Sequence, residues 1–209
     1  MQSLAFFPAK GDICPACPAR ISYLLSGIDY HYLNYTGKHC ENMIIAISAC
    51  LAGEAVRYDG SHKLYAPLKA LQNSGMAVPV CPEILGGLPV PRTPAEITGG
   101  EGCDVWAGTA RVTGSDGEDV TDAFKQGALR ALDHLQQRNI THVILKANSP
   151  SCGSGLIYSG AFDGTLKSGS GVATALFETN GITVWHEDHP ELSALIEQLL
   201  QNGKSALQR

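Results

Sequence analysis

From Met43 onward the chain alternates short apolar runs with amphipathic stretches. Ile44–Ile47, Ala77–Val80, Val143–Leu145 and Ile182–Trp185 are compact, β-branched-rich runs that read as strands. Between them the helical period of 3.6 takes over. A short helix is expected over Tyr65–Gln72, ended by Gly75, and another over Val172–Thr179. The clearest amphipathic helix carries Phe124, Ala128, Ala131, Leu132 and Leu135 on one face, with Asp119 or Thr121 suited to cap its start. A closing helix begins at Pro190, presents Leu192, Leu195, Ile196, Leu199 and Leu200, and stops at Gly203.

Strand–helix alternation of this kind implies right-handed crossovers. The fold class is α/β: a single-domain, three-layer sandwich around a mostly parallel, Rossmann-like sheet. Asp104–Val112 reads as a hairpin arm, turning at Gly114-Ser115-Asp116-Gly117. Pro79 removes a ladder donor, so its strand is short or lies where that donor is not needed. Two loops rich in Gly and Pro or Ser, Cys81–Ile97 and Ser149–Gly171, interrupt the alternation. No internal repeat is visible.

Residues 1–42 form an N-terminal extension with no clear period, and the α/β domain occupies 43–209. The extension carries Cys14, Cys17 and Cys40, with tyrosines near His31. It reads either as a small metal- or partner-binding segment or as a poorly ordered tail. One CxxC without a second pair is a weak metal signal.

Composition narrows the function. Hydrophobic content of 44% and charged content of 17% in 209 residues are globular values. A net charge of -5 argues against a strong nucleic-acid grip, though not against a single base or nucleotide as substrate. Leu4-Ala5-Phe6-Phe7 is too short for a secretory core and is interrupted by Pro8. No run approaches the roughly 20 apolar residues of a membrane span. Seven cysteines in such a chain are ligands or nucleophiles more often than disulfides, so a soluble cytoplasmic protein is expected.

The thiols carry the sharpest signal. Cys50, Cys81 and Cys152 each follow a predicted strand directly or within a few residues. Parallel strands would bring all three to the carboxyl edge of the sheet, where open α/β folds build their sites. Three convergent thiolates without a fourth partner suggest a metal or cluster with one open coordination position. The competing reading is three unrelated buried cysteines. Cys103, among Gly99, Gly100 and Gly102, reads as a packed bystander.

Other polar residues gather near these cysteines. Glu83 is placed to act as general base on a metal-adjacent water, or to bond loop amides. Ser149 and Ser151 can orient a substrate, pass a proton or satisfy backbone. Arg57 can clamp an anion, beside an ordinary Asp59-Gly60 turn. Arg92 is expected to pair with Glu96 and stiffen its loop. Gly169-Ser170-Gly171 is a weak candidate for holding phosphate at a helix start. His186 and His189 read as surface or capping residues.

Three segments together go further: Ser48-Ala49-Cys50-Leu51-Ala52-Gly53 with Arg57-Tyr58-Asp59-Gly60; Cys81-Pro82-Glu83-Ile84-Leu85-Gly86-Gly87-Leu88-Pro89 with Pro91-Arg92; and Ser149-Pro150-Ser151-Cys152-Gly153 with Tyr158-Ser159-Gly160-Ala161-Phe162. In this order, from about Met43 to His186, the chain resembles the family that includes the thiouracil desulfidases. The resemblance implies an oxygen-sensitive 4Fe–4S cluster held by Cys50, Cys81 and Cys152, with one open iron. It also implies acid/base and substrate-handling roles for Glu83 and Ser149. The reaction implied is non-redox hydrolysis of a thiolated pyrimidine, of the 2-thiouracil or 4-thiouridine type, to uracil or uridine and hydrogen sulfide. Partners would then be the small thiopyrimidine and the iron–sulfur assembly machinery. The alternatives are a sulfur or cluster carrier, a zinc-thiolate hydrolase, and a structural module with buried thiols. Cys14, Cys17 and Cys40 inherit nothing from the resemblance.

Overall fold

The structure, a computed structural model, describes residues 44–206. The extension and its three cysteines lie outside the described residues. Four strands, β1 (Ile45–Ser48), β2 (Ala77–Val80), β5 (His142–Leu145) and β8 (Thr183–His186), form a parallel sheet in the order β2-β1-β5-β8. The chain steps from β1 to β2 on one side and to β5 on the other. The topological switch, and the crevice it opens, therefore lies at the carboxyl ends of β1 and β5. Pro79 sits on an edge strand, where its missing donor leaves no gap in a central ladder.

Alternating side chains assign the two faces. Ile45, Ile47 and Ile144 pack with Leu68 and Leu71 of α1 (Ala66–Asn73) and Leu192, Ile196 and Leu199 of α6 (Leu192–Ala206). Ala46, Val143 and Leu145 face Phe124, Ala128 and Leu132 of α4 (Thr121–Gln136) and Leu176 and Phe177 of α5 (Val172–Thr179). This is the expected three-layer sandwich, with period-2 strands between period-3.6 stripes.

The long loops are more ordered than their composition suggested. The first holds the single-turn helix α2 (Pro82–Leu85) and β3 (Ala95–Thr98), which pairs antiparallel with β4 (Arg111–Gly114). The second folds into the hairpin β6 (Leu156–Tyr158)–β7 (Leu166–Ser168). The expected hairpin arm over Asp104–Val112 is only half right: its first part is helix α3 (Gly102–Ala107). A capping box between Glu101 and Asp104 starts α3, and left-handed Gly108 ends it. Of the two caps expected for α4, Asp119 acts from just ahead of it: its Oδ1 accepts the amide of Thr121, the first helical residue, at 3.0 Å. Val120 is its N-cap, while Thr121 Oγ1 accepts the Val112 amide, tying α4 to β4. The closing helix starts at Leu192 and runs through Gly203 to Ala206, because one glycine costs a helix interior only about 1 kcal/mol.

One close approach fixes α2. A Cβ on Gly127 of α4 would lie 1.9 Å from the Pro82 carbonyl oxygen, so only glycine lets α2 lie on α4. Arg130, one turn further along α4, donates to the Leu85 carbonyl at 2.7 Å. Cys81 and Glu83 are thereby set by packing well behind the site.

A three-cysteine candidate active site

Each of the three cysteines leaves its strand by a different local device. After β1 the chain turns at once, and the Gly53 amide donates to the Cys50 carbonyl at 3.3 Å. Cys81 is the N-cap of α2, with Pro82 at the first helical position. After β5, Asn148 adopts φ 63°, a left-handed conformation that asparagine tolerates, and redirects the chain into Ser149-Pro150-Ser151-Cys152. That segment is locked from below: Val172 and Ala173 amides donate to the Pro150 and Ser151 carbonyls, both at 2.9 Å, and Thr174 Oγ1 to the Cys152 carbonyl at 3.0 Å.

The three thiols line one cavity of about 850 Å³, a size suited to a small ligand. Burial pushes Cys50 up to about 11, with the neighbouring Cys81 adding to the rise and Arg57 and Lys146 opposing it. Cys81 is also raised by burial, offset in part by the Ile84 amide at the start of α2. Cys152 is raised well above its usual value, again by burial first and then by the charges of Cys81, Glu83 and Cys50; the Ser48 hydroxyl opposes this with a hydrogen bond. All three are free of disulfides. Burial thus favours three neutral thiols, and holding all three together as thiolates would take a cationic centre between them.

Among the described residues, no three His, Cys, Asp or Glu side chains are grouped to hold a single metal ion. A mononuclear zinc-thiolate centre, one of the alternatives, needs such a group.

Glu83 and Ser149 meet in the same cavity. The Ser149 hydroxyl accepts the Ser151 and Cys152 amides, each at 3.1 Å, and donates to Glu83 Oε1 at 3.3 Å. Its proton is therefore directed at the carboxylate. The expected Arg92–Glu96 pair does not form. Arg92 instead binds Glu83 and also donates to the Pro89 and Val56 carbonyls, both at 3.1 Å. Glu96 is buried and accepts the Gly160 and Phe162 amides at 2.8 and 3.1 Å. Residues 92 and 96 would share a helix face, but this segment is extended and they diverge.

Several other expectations resolve as well. Arg57 lines the cavity, 3.5 Å from Asp59 Oδ1 through its Nε, while Asp59 accepts the Ser61 amide in a local turn. Ser151 is fully buried, and its hydroxyl finds no hydrogen-bond partner and does not line the cavity. Gly169-Ser170-Gly171 holds no phosphate cradle: Glu101 Oε2 already accepts the Ser170 amide at 2.7 Å. Cys103 packs with Trp106 against Ala175, away from the cavity. His189 Nδ1 accepts the Glu191 amide at 3.2 Å, a capping contact ahead of α6.

Lys146, Asn148 and Tyr158 line the cavity without having been singled out for chemistry, and Ser48 does so within the first motif. Tyr158 is 39% exposed on β6. Among the described residues no helix is long and apolar enough to cross a membrane.

Comparisons with known proteins identify the family. A solved structure of a 4Fe–4S-dependent thiouracil desulfidase, TudS, superposes with a TM-score of 0.65 at 43% identity, covering 75% of this chain and 98% of its own. The uncharacterized protein YbbK of Bacillus subtilis (strain 168) is 47% identical over 145 residues, 69% of this chain and 96% of its own. The family model described as 2-thiouracil desulfurase matches residues 45–189, the span that contains all three thiols, Glu83 and Ser149. The chain belongs to the 2-thiouracil desulfurase family.

Proposed function

We propose that this protein is an iron–sulfur-dependent desulfidase that hydrolyses a thiolated pyrimidine, of the 2-thiouracil or 4-thiouridine type. Thiocarbonyl plus water gives carbonyl plus hydrogen sulfide, with no net electron transfer. The observation that carries the reading is the convergence of Cys50, Cys81, Cys152, Glu83 and Ser149 on one cavity. Family membership and the TudS likeness support it.

The donor set fits a 4Fe–4S cluster. Each ligand thiolate of such a cluster binds a different iron, so three thiols around a cavity suit it although they are not grouped on one ion. Cys50, Cys81 and Cys152 would hold it. A cluster with three protein ligands supplies one open iron, a Lewis acid for the thiocarbonyl sulfur.

The chain's own residues do the rest. Glu83 takes a proton from the attacking water. Arg92 keeps that carboxylate aimed by binding its other oxygen. Ser149, its lone pairs occupied by two amides, has one proton to offer: to Glu83 in the free protein and to a ring heteroatom in the complex. Such thiols suit a reducing compartment, in keeping with a cytoplasmic enzyme served by iron–sulfur assembly proteins.

The deciding experiment is anaerobic reconstitution, followed by iron, acid-labile sulfide and hydrogen sulfide assays with 2-thiouracil and 4-thiouridine. About four irons and four sulfides per chain, with hydrogen sulfide released, are expected. A protein that takes up zinc alone, or no metal, overturns the reading.

A further inference from the structure

Behind the cysteine cavity, Lys146 and Glu187 form an ion pair for which the proposed chemistry has no use. Lys146 directly follows β5, and Glu187 directly follows β8. The Lys146 backbone amide donates to Ser48 Oγ at the end of β1, at 2.9 Å. Its Nζ donates to Glu187 Oε1 and, at 3.2 Å, to the Ala147 carbonyl. Glu187 Oε2 accepts the Ala147 amide at 2.6 Å. One carboxylate thus fixes both the ammonium head and the backbone beneath it, at the ends of three neighbouring strands.

The two charges differ in their access to the site. Lys146 lines the cavity with Cys50, Cys81 and Cys152, whereas Glu187 stands outside the lining. Both side chains are largely withdrawn from water, 22% and 13% exposed, so their fields are screened less than those of surface charges. Their effects on Cys50 are opposite: Lys146 favours the thiolate and Glu187 disfavours it.

We infer that Lys146, held in place by Glu187, is a positioning residue that sets the electrostatic field of the three-cysteine centre from the Cys50 side. The inference rests on the cluster reading and concerns a property of the loaded centre that turnover does not report. A cation near a cluster stabilises its more reduced, more negative state, and an anion does the reverse. A purely structural ion pair has no such sign: breaking it from either end gives the same disturbance.

The test is the midpoint potential of the reconstituted cluster, with iron content and thermal melting measured alongside. Lys146→Met is expected to lower the potential, Glu187→Gln to raise it, and Lys146→Arg to stay near wild type. Arg111→Met, in an ion pair whose arginine is 74% exposed, is expected to leave it unchanged. If Lys146→Met fails to load, the double variant Lys146→Met/Glu187→Gln replaces it and must titrate below Glu187→Gln. Shifts in one direction, or none, in loaded protein overturn the inference and leave the desulfidase reading intact. A wild-type protein that takes up no iron overturns both.

Discussion

Arg92 grips Glu83 by one oxygen only: Nε at 3.0 Å and Nη2 at 2.5 Å both reach Oε2, leaving Oε1 to Ser149. A carboxylate held this way has one oxygen occupied by a cation and the other turned toward the site. Glu83→Gln keeps the volume and removes the base. Turnover is expected to fall by about 100-fold or more, while iron per chain stays at the wild-type level. Hydrogen sulfide release measured beside iron content checks this, and undiminished turnover would favour a sulfur or cluster carrier.

The ligand assignment separates cysteines by position. Cys50→Ala, Cys81→Ala and Cys152→Ala are each expected to lose the cluster's absorption and most of its iron. Cys103→Ala, on α3 and outside the cavity lining, is expected to keep both. Equal loading in all four variants would send the search for ligands elsewhere.

Gly127 tests how far the site depends on packing behind it. In Gly127→Ala the new methyl meets the Pro82 carbonyl, so α2 must move, carrying Cys81 and Glu83 with it. Overpacking of this kind costs about 1–3 kcal/mol. Denaturant unfolding should show that loss, with reduced cluster retention. Unchanged stability would mean that α2 is free to shift.

Stability below neutral pH should carry a signature of His142. Burial lowers its pKa in the folded protein, so the unfolded chain binds the proton more readily. The contribution is fully present above the unfolded value of about 6.5 and is lost as pH falls through the lower folded value. His142→Gln should therefore flatten the fall in stability as pH drops below about 6.5, relative to wild type. Parallel curves for the two proteins would remove His142 from the account.

Much of the fold was legible because it rests on local periods. The four sheet strands, α4 and α5 are long or uniform enough for hydrophobic spacing to find them. The stretch after Cys81 was not, because β3, Ala95-Glu96-Ile97-Thr98, carries a charged residue in place of a uniform apolar run and follows a proline-rich loop. The segment at Val105-Trp106 misled by its β-favouring side chains. Glu101 and Asp104, spaced as a capping box, were the signal that α3 begins there.

The site shows the same division. The cysteines could be read because each directly or closely follows a predicted strand. The Arg92–Glu83 pair spans only nine residues, yet Glu96, nearer in the same loop, was the partner expected. The Lys146–Glu187 pair joins residues 41 apart and depends on β5 and β8 being neighbours, which no local pattern reveals.

The proposed ligands come from the ends of β1, β2 and β5, and this has a bearing on biogenesis. Cys50 and Cys152 are brought together by the pairing of β1 with β5, across a separation of 102 positions. A ribosome-bound chain lacking β5 would offer iron at most two of its three thiols. On the proposed ligation, the complete three-thiol site exists only once β5 has joined the sheet, so a cluster donor would meet a folded surface around an open cavity.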